Sequence, residues 1–297
     1  MKREGGISIE ARGMVSLCLS GVTLGGLGVA VSLLTSEGVT APSQTFWRFA
    51  LAAFVFFSVS LIFYRSRTIP GRRELIIMAV GGGMMEIASL TYMGAIGLGL
   101  PVPAVSFLSQ MSAMFTVLLA VPLLGEKLIR TKALALLLGT TGVLLISRPW
   151  QAASGNLIAE LLILLNALNF SLFTIFNREF VGRRNYNSQL VSTWVFIGAA
   201  LWSLPLLIFG AVQSPTGSSS NELGLFVTMA VLTTFVPYSL LNLGLKRVSA
   251  GSASIFLLFS PVSATILSDL FLHERVGVFS GVGSGLVLLS VVILTLF

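Results

Sequence analysis

The chain has 297 residues, 55% of them apolar and only 10% charged, with a formal charge of +7. Soluble domains carry about 25% charged residues, so a soluble globular fold is excluded, and the apolar content excludes a disordered chain. Long continuous apolar runs, rather than alternating segments of about ten residues, exclude a β-barrel and leave an all-α polytopic membrane protein.

Taken in order, the apolar runs predict ten membrane spans, at about 13–35, 42–64, 75–95, 102–123, 132–148, 157–177, 189–211, 223–245, 252–271 and 276–297. The N-terminal stretch Met1 to Gly13 has a basic start. The uncharged run from Gly13 to Ser36 is 24 residues, too long for a signal sequence's apolar region, so it reads as a retained first span. Cys18 within it is the only cysteine, which leaves no internal disulfide. The third and fourth spans are separated by Gly97, Gly99, Pro101 and Pro103, residues that favour turns and remove backbone donors. The fifth span is short and reaches across only if Lys132 and Arg148 snorkel at its ends. On the last span Gly277, Gly281 and Gly285 repeat every four residues, as Gly21 and Gly25 do on the first. Both stripes read as packing seams within the bundle, with dimerisation the alternative for the last.

With the N-terminus in the cytoplasm, fifteen of the 18 Lys and Arg residues fall on the cytoplasmic side. Arg148 and Arg275 fall outside, and Arg48 lies within the second span. Such asymmetry fixes orientation and predicts both termini in the cytoplasm and the cell membrane as location; on a membrane chain it does not point to nucleic acid.

At an offset of 148 residues, Leu124-Gly125-Glu126-Lys127 matches Leu272-His273-Glu274-Arg275, and Ser106, Ser112 and Leu119 match Ser254, Ser260 and Leu267. Five spans per half is an odd number, so the halves face opposite ways. The expected fold is ten transmembrane helices in two inverted five-helix repeats, 1–148 and 149–297, the plan on which many secondary transporters build alternating access.

Several segments carry a family likeness: Phe46-Trp47-Arg48-Phe49; Leu90-Thr91-Tyr92-Met93-Gly94-Ala95; Pro122-Leu123-Leu124-Gly125-Glu126-Lys127; Leu243-Gly244-Leu245-Lys246-Arg247-Val248-Ser249-Ala250; Ser260-Pro261; and His273-Glu274-Arg275. In this order and spacing the sequence resembles the drug/metabolite transporter superfamily, in its ten-span form with two EamA-type repeats. The resemblance implies a secondary transporter, usually an exporter of small metabolites, with its pathway between the halves. Ala113 stands where the family often has the counterpart of Pro261, and Ser20-Gly21-Val22-Thr23 where it often has a Trp-Gly pair.

Ionisable groups inside a span are costly and face a cavity or a partner. Glu86 lies near the middle of the third span and Arg48 lies in the second, at depths that differ by roughly 6 Å at 1.5 Å per residue. Two readings stand: a structural ion pair, or a cavity carboxylate that binds a cation or a proton. Asn166, Asn169 and Phe173 share a helical face, as do Ser106, Ser109 and Gln110. Tyr92, Tyr238, Asn242 and Ser260 complete the candidate substrate-binding set, together with Glu86. Amides and hydroxyls on aromatic and apolar walls suit a small amphipathic metabolite. Pro205, Pro237 and Pro261 interrupt spans, and Pro237 and Pro261 are hinge candidates.

His273, the only histidine, reads as a solvated hairpin residue, and no zinc, nucleotide or Ser/His/Asp motif occurs. The expected function is a secondary transporter that exports a small organic metabolite, coupled to protons or a counter-solute, without metal or cofactor, in a lipid membrane, as a monomer or homodimer. A passive facilitator is the nearer alternative. A lipid-modifying enzyme or a scaffold is the more distant one, since catalytic residues and soluble surface are both lacking.

Overall fold

The computed structural model describes residues 9–64, 70–100, 102–148, 150, 156–212, 220–272 and 277–296. His273, Glu274 and Arg275 lie outside them, as does the side chain of Ser106. Among the described residues, ten helices are long and apolar enough to cross a membrane: Glu10–Ser36, Ala41–Phe63, Arg72–Gly97, Phe107–Leu124, Arg130–Ser147, Leu157–Arg183, Ser188–Ile208, Glu222–Leu245, Ala250–Phe271 and Val278–Leu296. We refer to these as the first to tenth spans. Their composition makes them helical: runs of Leu, Ala, Val and Phe with no backbone partner available in lipid must satisfy their N–H and C=O groups internally.

The ends are set by local chemistry. Asn156 accepts from Ala159 N (3.2 Å), Asn187 from Gln189 N (2.9 Å) and Ser249 from Ser252 N (3.2 Å), each satisfying an orphan donor of a helix start. The third span begins with Glu74 reaching back to Gly71 N at 2.9 Å. It stops at Gly97, where Gly99 takes a φ of +83° that a side chain would resist, and the fourth span follows directly, as its glycines and prolines predict. Gly125, at φ +64°, turns the chain after the fourth span.

The two halves repeat one plan. The helices starting at Arg130 and Val278, which open the fifth and tenth spans, are 148 positions apart, the offset of the sequence repeat. The halves interlock: the third span packs on the sixth and seventh, while the eighth span contacts the first and second, and the fifth and tenth pack on each other. At that last seam the backbones touch, since a Cβ on Gly142 would strike the carbonyl of Gly283 and one on Gly283 the carbonyl of Gly142. The large exposed side chains, among them Phe54, Ile62, Phe63, Leu137 and Ile208, form the lipid-facing belt.

Two expectations change, and a third, the first-span stripe, holds. The tenth-span stripe is not the seam: nothing lies within 4 Å of a Cβ built on Gly281 or Gly285, because the close approach falls on Gly283, on another face. The first-span stripe does pack, with Gly21 against Phe259 and Gly25 against Ser260 and Ser263. Lys132 does not snorkel; it is 9% exposed and its ammonium lies 3.2 Å from Glu126 Oε2, because a carboxylate at the helix end is a closer counter-charge than a headgroup.

Each interrupting proline sits just after an irregular turn. A π-helical turn spans Val231–Phe235 ahead of Pro237, the helix breaks at Leu257 and Leu258 ahead of Pro261, and Pro205 opens a new short helix after Ser203. Proline lacks the N–H and crowds the carbonyl one turn back, so the break falls upstream of the ring.

Candidate functional site

A cavity of about 530 Å³ lies between the halves. Its walls come from the first, second, third, fourth, fifth, sixth, eighth, ninth and tenth spans. It runs from the end of the bundle marked by Ser147, Arg148 and Ser280 inward to Thr116, Ser254 and Leu257. Ser112 and Ser260, related by the 148-residue offset, both line it, so the cavity straddles the axis relating the repeats.

Below that floor the opposite end, where the chain's first and last described residues lie, is closed. Glu126 Oε1 accepts from Ala250 N at 2.6 Å and Oε2 from Gly251 N at 3.1 Å. This carboxylate from the first half thus caps the first helical turn of the ninth span in the second half, where helix N–H groups are unsatisfied and the dipole favours an anion. Gly251 leaves room for it: a Cβ there would lie 3.3 Å from Glu126 Oε2. Ala120, Leu124, Ile175 and Ala250 pack around the same point.

Arg48 projects from the second span to the cavity wall and is 2% exposed. Its Nε donates to Thr234 Oγ1 at 2.8 Å, across to the other half, and Nη1 reaches Ser89 Oγ at 3.4 Å. The Tyr238 hydroxyl lies close by, and Nη2 has no hydrogen-bond acceptor. Arg48 and Glu86 are not brought into an ion pair; the pairs formed among the described residues are Lys132–Glu126 and Arg183 and Arg184 with Glu179. Thr234, which takes the place beside Arg48, is the residue 148 positions after Glu86.

Glu86 is 4% exposed but does not line the cavity. It turns toward the seventh span, where Ser203 Oγ lies 2.6 Å from Oε2 and 3.0 Å from Ala199 O, while Oε1 has no partner. Ser203 has one hydroxyl hydrogen for these two acceptors, Glu86 Oε2 and Ala199 O.

The other expected residues divide. Gln110, Asn166, Tyr92, Tyr238 and Ser260 line the cavity, as do Ser109 and Ser112. Asn166 also donates to Ala88 O at 2.7 Å, tying the sixth span to the third. Asn169 donates to Leu165 O of its own helix near the surface. Phe173 is buried against Tyr238, with ring centroids 5.8 Å apart, and Asn242 donates to Ser192 Oγ at 2.8 Å. These last three stand outside the cavity lining. Sequence reasoning did not single out Thr234, Ser89, Thr116 or Thr265. One signal was available for Thr234: it stands three residues before a mid-span proline, where the helix must loosen.

Ten membrane helices thus surround a cavity of mixed polar and apolar lining that runs from one end of the bundle to mid-depth. The EamA-like transporter family matches this chain twice, over residues 11–148 and 157–296. The chain belongs to that family, within the drug/metabolite transporter superfamily, and is a multi-pass membrane protein. An uncharacterized transporter of Archaeoglobus fulgidus is 27% identical over 63% of this chain and 66% of its own length. Another from the same organism is 24% identical over 95% of both chains. The uncharacterized transporter YcbK of Bacillus subtilis is 25% identical over 48% of this chain and 47% of its own. The chain thus spans just under two thirds of the first of these relatives and about half of the last. A crystal structure of a protein 18% identical in sequence superposes over 96% of both chains with a TM-score of 0.75, a likeness of fold alone.

Proposed function

We propose that this protein exports a small amphipathic metabolite across the cell membrane by alternating access between two inverted repeats, 1–148 and 149–297. The single observation that carries the reading is the cavity itself: about 530 Å³ between the halves, reaching one end of the bundle and shut at the other by the Glu126 cap. Gln110, Asn166, Tyr92, Tyr238 and Ser260 form its polar contacts, against walls that include Met85, Phe170 and Leu257. The charge asymmetry of the loops supports a cytoplasmic location for both termini, which makes the Arg148 end external and this conformation outward-facing. The outward direction of net flux rests on the resemblance to exporters.

Coupling is assigned to protons through Glu86. A carboxylate held by a serine, without a cation partner, can gain and lose a proton as the halves rearrange. Pro237 and Pro261 mark where the eighth and ninth spans bend in that rearrangement.

The test uses purified protein in liposomes loaded with amino acids, nucleosides and cationic dyes, with and without a pH gradient. Solute movement driven by the gradient and lost in Glu86→Gln is the expected result. Movement indifferent to both gradient and variant would make the protein a facilitator and Glu86 structural.

A further inference from the structure

The charged residues that line the cavity, among the described residues, are Arg48 and Arg148, both cations. Arg48 is the informative one. A guanidinium 98% removed from solvent is tolerated only when its charge and its N–H groups are answered. Here two of its nitrogens meet neutral hydroxyls, Thr234 and Ser89, the Phe49 ring lies 5.3 Å from the guanidinium carbon, and Nη2, with the Tyr238 hydroxyl nearby, has no acceptor. Glu86, the acid in the neighbouring span, is turned away to Ser203. The site therefore places on the cavity wall a buried cation with one nitrogen that lacks an acceptor, and no anion among the described lining residues.

Deepening the proposed transport function, on which it rests, we infer that Arg48 is the substrate-anchoring residue and that the solute carries a carboxylate. The anion binds at Nη2 beside Tyr238 and Tyr92, and the remainder of the molecule lies along Gln110, Asn166 and Phe170. A single acceptor-free nitrogen fits a monoanion. A phosphate dianion would call on a second cation, but Arg48 lies seven residues into its span, roughly 10 Å below the membrane end near Arg148 at 1.5 Å per residue. Arg148 is thus placed to attract the anion to the mouth, not to share it with Arg48. The guanidinium also holds its N–H groups in a fixed plane, so Nη2 offers the carboxylate a directed donor, which a freely rotating ammonium does not.

The experiment titrates purified protein with matched probes and follows thermal stability: phenylacetate, hexanoate and indole-3-acetate, each against its primary amide and the corresponding amine, with inorganic phosphate as a further probe. Acids are expected to stabilise the protein, with amides and amines at least about tenfold weaker, as expected for loss of a charge-assisted hydrogen bond. Arg48→Gln removes the preference and Arg48→Lys keeps part of it. Equal binding of acids and amides, tighter binding of phosphate, or no acid binding at all overturns the assignment. Should Arg48→Gln fail to fold, the acid–amide comparison on the wild-type protein decides alone. Flux separates this inference from the one beneath it. Vesicles that carry solutes lacking an acid group leave the transporter standing and remove the Arg48 anchor. Acid binding with no flux of any solute does the reverse.

Discussion

Closure of the terminus-side end depends on one side chain, which makes Glu126→Ala the most informative perturbation of the conformational cycle. The carboxylate accepts two N–H groups from the ninth span, at 2.6 and 3.1 Å, and holds the Lys132 ammonium at 3.2 Å. The two side chains are only 12% and 11% exposed, so solvent screening is weak. A hydrogen bond to a charged group contributes roughly 1.5–3 kcal/mol. Water admitted to the vacated helix start recovers part of the loss of two, which leaves about 3 kcal/mol against the closed end. That is roughly a hundredfold in the ratio of closed to open. The readout is a cysteine at Val117, which is 2% exposed and packs near Gly251, in a Cys18→Ser background. A membrane-impermeant thiol reagent applied from the terminus side is expected to react roughly a hundredfold faster when Glu126 is Ala. Glu126→Gln, which keeps one oxygen acceptor but not the charge, should fall between. An unchanged rate in a protein that still elutes as a folded species would refute the view that this cap closes the pathway.

Other outcomes follow from the same geometry. Gly283→Ala drives a methyl group into the Gly142 carbonyl and should cost about 1–3 kcal/mol, whereas Gly281→Ala meets open space and should hold or raise the melting temperature in detergent. Asn166→Leu deletes the bond to Ala88 O and should lower stability by about 0.6–1.7 kcal/mol in a denaturant titration. Lys246, at the terminus-side end of the eighth span, has its ammonium pushed below the ordinary lysine value of about 10.4, first by burial and then by neighbouring Arg247. Its folded-state value is the lower one, so its unfavourable contribution is present while it is protonated in both states. That contribution fades as pH rises from the folded value to the unfolded one, so Lys246→Gln should stabilise the protein at neutral pH and lose this advantage above about pH 10.4. Acylation of Lys246 followed by mass spectrometry should titrate below a free lysine side chain.

Much of the fold is legible in the sequence, because hydropathy in lipid is a strong signal and the backbone has one local solution there. The ten apolar runs, the Gly97–Pro103 break and the 148-residue repeat all follow from residues read in line. Depth in the membrane is legible too, since it follows from helical rise. Rotation of a helix about its axis is not. Arg48 and Glu86 stand at compatible depths, yet Glu86 faces Ser203 and Arg48 faces Thr234, because the interlocked halves decide which face meets which neighbour. The same ambiguity explains why Asn166 reaches the cavity while Asn169, three positions on, does not. Glu126 stands out in the sequence as a hairpin acid, but its partners are 124 and 125 residues away, and only packing brings a helix start to it.

Counterflow tests the central claim most directly. Proteoliposomes would be preloaded with a high concentration of an unlabelled solute that the pool experiment shows to cross, then diluted into a trace of the same solute carrying a label. A carrier whose cavity opens to one end at a time exchanges inner for outer molecules, so the label should rise transiently above its equilibrium level inside. A rise that stops at equilibrium, with no overshoot at any loading, would contradict alternating access.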